Sequence, residues 1–350
     1  MTTAESLVLV TGGSGYVGTH VIAALLRDGR QVRTTVRSMA REAGVRAAVR
    51  RGGADDTALT VVEADLRSDD GWAAAAAGCA EVHHVASPIP VVQPDNPDDL
   101  IVPARDGTLR VLRAAHRAGV RRVVLTSSFA AIGYSPKPVA SSPGAVASSP
   151  GAVASSSGAV ASSGAVASSG AVASSPGTVA EFTEDDWTDP DTPGLAAYPR
   201  SKAVAERAAW DFARDSGLDL VSVNPTAIFG PALTTDLGSS MYLIKALREG
   251  TVDGLPDRRF GIADVRDVAD LHLRAMAAPD AGGRRFICVS DGPTWSFAEV
   301  ADVLRGKPVS RTPVDGLVIH NDRAKTLGWR PRPAETTIVE SVTENSARSH

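Results

Sequence analysis

The sequence predicts an α/β protein built on a doubly wound parallel sheet. Short apolar, β-branched runs at 7–11, 31–36, 59–63, 81–86, 121–127 and 218–223 alternate with helix-patterned stretches. The first run leads into Gly12, Gly15 and Gly18 and then an apolar-periodic helix. The chain has 350 residues, enough for one large domain or two lobes.

The glycine turn explains the first unit. Gly12 permits the tight turn off the strand, Gly15 lets backbone approach a pyrophosphate, and Gly18 lets the helix pack on the strand. Helix N–H groups and the positive end of the helix dipole then face the phosphates. This is the Rossmann arrangement, with Ser14, Tyr16 and Val17 completing the loop. The alternative is a glycine-rich β–α turn that binds nothing. The second strand ends at Arg37-Ser38, about 20 residues past the glycines, where an acidic residue would grip the ribose 2′-hydroxyl of NAD. An Arg there suits the 2′-phosphate of NADP, unless Arg37 is only a solvated surface residue. A helix is expected over 39–51, and the third strand runs into Ala64-Asp65-Leu66, placed to meet an adenine.

The fourth strand closes at Val85-Ala86-Ser87, beside the proposed cofactor, and carries His83 and His84 on opposite faces. Adjacent strand residues cannot easily aim at one metal, so both histidines are read as structural. A helix over 98–119 follows, then a strand ending in Thr126-Ser127-Ser128. Residues 139–178 are near-copies of VASSPGA without a charge or an aromatic ring. That composition predicts a disordered or loosely packed loop expansion, the alternative being a binding segment or lid. Tyr198 and Lys202 open a helix that stops at Gly217, and share one face of it as i and i+4. After the strand at 218–223 and Asn224-Pro225 the elements shorten: helices near 237–248, 265–277 and 297–304, and strands near 259–262 and 285–289. Residues 1–224 and 264–290 are expected to form the dinucleotide-binding domain. Residues 225–263 and 291–350 are expected to form a smaller C-terminal substrate lobe over the carboxyl ends of the strands.

The net charge of −4 gives no electrostatic footprint for nucleic acid or an anionic membrane. Cys79 and Cys288 make no CxxC or metal-ligand spacing, so no metal is expected and both read as buried thiols in a reducing compartment. No apolar run reaches membrane-spanning length and no signal segment is evident, so a soluble cytoplasmic protein is the expectation.

The segments TGGSGYVGTH, VRTTVRS, ADL, HHVASP, RRVVLTSS, YPRSKAVAE, VNPTAIFGP and DVRDVAD together resemble the extended short-chain dehydrogenase/reductases. Within that family, also termed the NAD-dependent epimerase/dehydratase superfamily, the resemblance is to the dihydroflavonol-reductase-like branch. It implies Tyr198 as general acid toward a carbonyl oxygen, Lys202 as the charge that favours phenolate and bonds the nicotinamide ribose, and Ser128 as a hydrogen-bond partner of the carbonyl. Pro225 and Ile228 would wall the nicotinamide. A Tyr has a pKa near 10, so at neutral pH it keeps its proton and needs tuning to exchange it. The alternative for Tyr198 and Lys202 is a helix start with a solvated Lys. The resemblance implies an NADPH-dependent reductase of a small-molecule ketone or aldehyde, with a homodimer usual. Two other readings stay open: a nucleotide-sugar epimerase or dehydratase with tightly bound NAD, and a non-catalytic NADP-sensing protein. Two departures are plain. The repeat falls between Ser128 and Tyr198, and no Asn precedes Gly107-Thr108, where many short-chain enzymes place one for a proton relay.

Overall fold

The computed structural model describes residues 6–88, 94–135, 180–234, 239–251, 258–309 and 317–342; the 139–178 repeat lies outside them. Seven strands form one sheet: β1 (Leu7–Thr11), β2 (Gln31–Val36), β3 (Leu59–Glu63), β4 (Glu81–His84), β5 (Arg122–Thr126), β6 (Asp219–Pro225) and β7 (Arg285–Cys288). Their order is β7-β6-β5-β4-β1-β2-β3 and every pairing is parallel. The order reverses between β1 and β4, which opens a crevice at the carboxyl ends of those strands.

Period-two alternation divides the core between the two faces. Leu9, Val82, Val123, Leu125 and Leu220 pack with side chains of two long helices, α4 (Asp98–Arg117) and α5 (Ala197–Ser216). On the other face Val8, Val10 and Val32 pack with α1 (Tyr16–Arg27), while Val124, Val221 and Val223 pack with α7 (Val265–Ala277). Helices α2 (Glu42–Arg51), α3 (Trp72–Ala76) and α6 (Ser239–Glu249) fill the chain order. A further core of Phe229, Ile244, Phe260, Trp295, Phe297, Val300 and Ile338 gathers beside the strand ends. It includes α8 (Phe297–Leu304), started by a reciprocal cap in which Ser296 Oγ accepts from Glu299 N–H and the Glu299 carboxylate accepts from Ser296 N–H.

Several expected boundaries shift for identifiable reasons. The predicted helix over 39–51 divides into a 3₁₀ turn at Met39–Arg41 and α2, with Ser38 capping the turn by accepting from Ala40 N–H. The fourth strand stops at His84 because the N–H groups of Val85 and Ala86 both donate to Thr11 Oγ1, each at 3.0 Å. The predicted strand at 259–262 breaks at Gly261. Arg259–Phe260 pairs antiparallel with Trp295–Ser296, and Ile262–Asp264 pairs parallel with Ala227–Phe229. A Cβ at Gly261 would meet Val289 at 2.7 Å. A short parallel pair, Ala180–Phe182 with Leu317–Ile319, and the helices Asp322–Thr326 and Ala334–Glu340 were not expected. Among the described residues no helix is long and apolar enough to cross a membrane.

Candidate active site

A cavity of about 540 Å³ lies along the carboxyl ends of the strands, and every sequence-predicted site residue lines it. At one end is the glycine turn. Gly12 has φ +74°, and a Cβ there would sit 2.9 Å from the Ala86 backbone. A Cβ on Gly18 would lie 2.3 Å from Gly12 O, so the helix start can lie against the turn only without a side chain. Gly13 is equally constrained, since its Cβ would fall 2.1 Å from Thr34 Oγ1. That constraint depends on the neighbouring strand and has no signal in the local motif. Gly15 caps α1 with no side chain covering the first turn, and that turn holds no acidic residue. This end therefore suits an anion. Tyr16 donates its hydroxyl to Gly230 O at 2.7 Å, fastening the turn to the segment beyond Ala227–Phe229.

Arg37, at the end of β2, lines the same cavity with Arg41. Arg41 is a second cation that the sequence reading missed; it lies four residues on, in the 3₁₀ turn. Asp65 and Leu66 follow β3 into the cavity wall, joined by Arg67 and Trp72. Asp65 pairs with Arg67 at 3.0 Å, and that bond holds its carboxyl below the usual carboxylate range.

The end of β4 is built around Thr11. Its hydroxyl accepts from Val85 and Ala86 N–H, so its own proton points at His84 Nδ1, 2.8 Å away. Burial holds His84 at a pKa of about 3, with the nearby Lys202 charge adding to the effect, so it is neutral. His83, on the opposite face, contacts His272 Nδ1 at 3.3 Å, and His272 Nε2 meets Thr126 Oγ1 at 2.8 Å. Both histidines of the adjacent pair are thus buried in separate hydrogen-bonded groups.

Ser128, Tyr198 and Lys202 meet where β5 ends against the start of α5. Ser128 is extended and its Oγ accepts from Ala130 N–H at 3.1 Å, capping the turn Phe129–Ala131. The Ser128 side chain lines the cavity beside the Tyr198 phenol. Burial raises the phenol above its ordinary pKa, and the neighbouring Ser128 opposes the rise. Lys202 Nζ lies 5.7 Å from the Tyr198 ring centre and donates to Ser87 Oγ at 2.9 Å. Burial pulls the ammonium down to about 8, against an upward pull from the Glu206 carboxylate. A half-buried phenol and a buried ammonium one helical turn apart, with a serine hydroxyl beside them, can bind a carbonyl oxygen and give it a proton.

Beyond this group the wall is apolar. Pro225 and Ile228 are joined by Phe129, Tyr134, Ala227, Phe229, Leu243, Phe260, Phe297 and Leu317. Most of these come from short elements and the smaller core, which local pattern specifies poorly. Tyr134 lies close enough to Tyr198 for the two phenols to interact, and burial with that neighbour pushes its pKa up.

Fold and site together define a dinucleotide-binding protein of the doubly wound class that carries a Tyr-x-x-x-Lys pair at its crevice. A sequence profile described as the NAD dependent epimerase/dehydratase family matches residues 8–158 and 152–288. The chain is 30% identical to "Cinnamoyl-CoA reductase CAD2" of Medicago truncatula, over 96% of this chain and 94% of that protein. It is 32% identical to "Tetraketide alpha-pyrone reductase 2" of Arabidopsis thaliana, over 85% and 82%. Among solved structures, the yeast methylglyoxal/isovaleraldehyde reductase Gre2 complexed with NADPH has a TM-score of 0.72 at 24% identity, covering 96% of each chain. The chain belongs to the NAD-dependent epimerase/dehydratase family of extended short-chain dehydrogenase/reductases, in its dihydroflavonol-reductase-like branch.

Proposed function

We propose that the protein is an NADPH-dependent reductase that transfers hydride to a ketone or aldehyde, with Tyr198 as the general acid. The observation that carries this reading is the Tyr198 phenol, beside Ser128 and one turn from Lys202, in a cavity that runs on to the glycine turn and Arg37. The uncapped start of α1, the side-chain-free surface of the turn and the Arg37–Arg41 pair fit a dinucleotide bearing a 2′-phosphate. NADPH, when bound, supplies the hydride. Ser14, Gly15, Tyr16 and Val17 would line its pyrophosphate, Asp65 and Leu66 its adenine, and Val85, Ala86, Pro225 and Ile228 its nicotinamide end. Ser128 holds the substrate oxygen, Tyr198 gives that oxygen its proton, and Lys202 stabilises the phenolate left behind. The relatives named above are reductases, which supports the same reading.

The smaller lobe would choose the substrate, and its wall favours a carbonyl compound with an apolar body. Past Lys202, the described lining residues on that side carry no charged side chain. This disfavours a sugar-nucleotide epimerase, as does Arg37. A solved relative in complex with UDP-glucuronic acid and NAD shares the fold at a TM-score of 0.64 and 22% identity, which bears on fold alone. A non-catalytic NADP sensor would have no need of the Tyr198–Lys202 pair. Pairing of two copies through helices beside α5 belongs to the same proposal, and sedimentation equilibrium tests it. Loss of nicotinamide absorbance, with NADPH and a panel of apolar aldehydes, ketones and sugar nucleotides, tests the activity. Consumption with the apolar carbonyls is the expected result.

A further inference from the structure

Glu206 follows Lys202 by four residues and Tyr198 by eight, so all three lie along one face of α5. It is 1% exposed, and its carboxylate is saturated by five residues. Oε1 accepts from Ser222 Oγ at 3.0 Å, Trp210 Nε1 at 3.1 Å and Arg285 Nε at 2.7 Å. Oε2 accepts from Ser127 Oγ, from Asn224 Nδ2 at 2.8 Å and from Arg285 Nη2 at 3.4 Å. Asn224 Nδ2 also donates to the Ser128 carbonyl at 3.1 Å. Arg285 reaches further still. It donates to the backbone oxygens of Glu184, Asp186 and Ala131 and stacks on the Trp187 ring with its guanidinium carbon 3.8 Å from the ring centre.

A buried ion pair is weak evidence for stability, because desolvating two charges offsets their attraction. What this pair does is join parts. Ser127 and Ser128 directly follow β5, Asn224 lies near the end of β6, and Ala131 closes the turn that Ser128 starts. Ser127 and Asn224 bind the Glu206 carboxylate directly, while the Ser128 carbonyl is reached through Asn224 and the Ala131 carbonyl through Arg285. We propose that Glu206 is a positioning residue, acting through Ser127 and Asn224 to hold Ser128 in register with the Tyr198 phenol. It touches neither substrate nor cofactor in this role. Its effect is to fix the end of β5 against the third turn of α5, so that the Ser128 hydroxyl meets the phenol without an ordering cost during the reaction. The inference rests on the reading of Tyr198 and Ser128 given above.

Carbon-13 NMR of the full chain labelled at tyrosine Cζ reports hydrogen bonding at the Tyr198 phenol, with its resonance assigned by Tyr198→Phe. Ser128→Ala should move that resonance. Asn224→Ala and Glu206→Gln should move it in the same direction, and Ser128→Ala added to Asn224→Ala should move it little further. Asn224→Ala leaves the Glu206–Arg285 pair in place, so it decides the matter if Glu206→Gln does not fold. A Tyr198 resonance at the parent position in Asn224→Ala overturns the inference, as does one unmoved by Ser128→Ala. With any carbonyl the parent enzyme reduces, Asn224→Ala should lower kcat about tenfold with KM for NADPH within about twofold. Ser128→Ala should then cost much less in that background than alone; full additivity of the two losses contradicts the proposal. If the parent reduces no carbonyl, the proposed function fails while the NMR result still decides the positioning role.

Discussion

Lys202 Nζ donates to Ser87 Oγ at 2.9 Å, tying the helix of Tyr198 to the end of β4. The bond crosses from a helix on one face of the sheet to the crevice itself, so the ammonium is held where a nicotinamide ribose is expected. Its burial makes it a weak acid of unusual strength for a lysine, losing its proton at about pH 8. Below that pH it is charged and favours phenolate; above it that help is withdrawn. kcat/KM, which reports ionisations of the free enzyme, should therefore fall above about pH 8. Lys202→Arg, charged throughout this range, should lose that descending limb even if its rate is lower. A profile flat to about pH 9.5 contradicts this account of Lys202.

Arg37 and Arg41 line the cavity at the end of β2. NADPH should bind more tightly than NADH, by about tenfold to a hundredfold for a charge-assisted contact of roughly 1.5–3 kcal/mol. Arg37→Asp should erode or reverse the preference in a fluorescence titration. Equal affinity of the parent protein for the two cofactors rules out the assignment.

Gly13 faces Thr34, whose hydroxyl donates to Val10 O at 2.7 Å and so cannot simply turn away. Gly13→Ala should lower stability by about 1–3 kcal/mol through overpacking and weaken NADPH binding. Thr34→Ala in the same chain should recover part of the loss. An unchanged urea midpoint for Gly13→Ala would show that the turn can relax.

His20, His84 and His272 are held neutral by burial, at pKa values of about 4, 3 and 3. Each folded-state value lies below the ordinary 6.5, so the unfolded chain takes up protons that the folded chain refuses. Their stabilisation is complete above pH 6.5 and is lost as the pH falls from there toward 3–4. By pH 5 the loss is on the order of 2 kcal/mol per histidine. Urea midpoints compared at pH 7.5 and 5 should show it, and equal midpoints would contradict it.

Much of the site was readable because its residues follow local rules. The glycine turn needs φ +74° at Gly12 and bare backbone at Gly18, which a motif records. Tyr198 and Lys202 share a face because helices repeat every 3.6 residues. Gly13, the apolar wall and the Glu206 network escaped because their reasons lie in other segments. Thr34 constrains Gly13 from the next strand, and Glu206 takes its partners from β5, β6, β7 and its own helix. The short strands Ala227–Phe229 and Ile262–Asp264 are three residues each, too brief to show a period, and exist by pairing across 35 residues of chain.

The central claim is that Tyr198 delivers the proton. Tyr198→Phe removes one hydroxyl and keeps the ring, so packing and NADPH affinity should be unchanged. NADPH oxidation with the best carbonyl substrate should be measured in the parent and in this variant under the same conditions. The account predicts a fall of about a hundredfold to ten-thousandfold, the usual contribution of a positioned proton donor. A variant that keeps more than about a tenth of the parent rate would place the acid elsewhere.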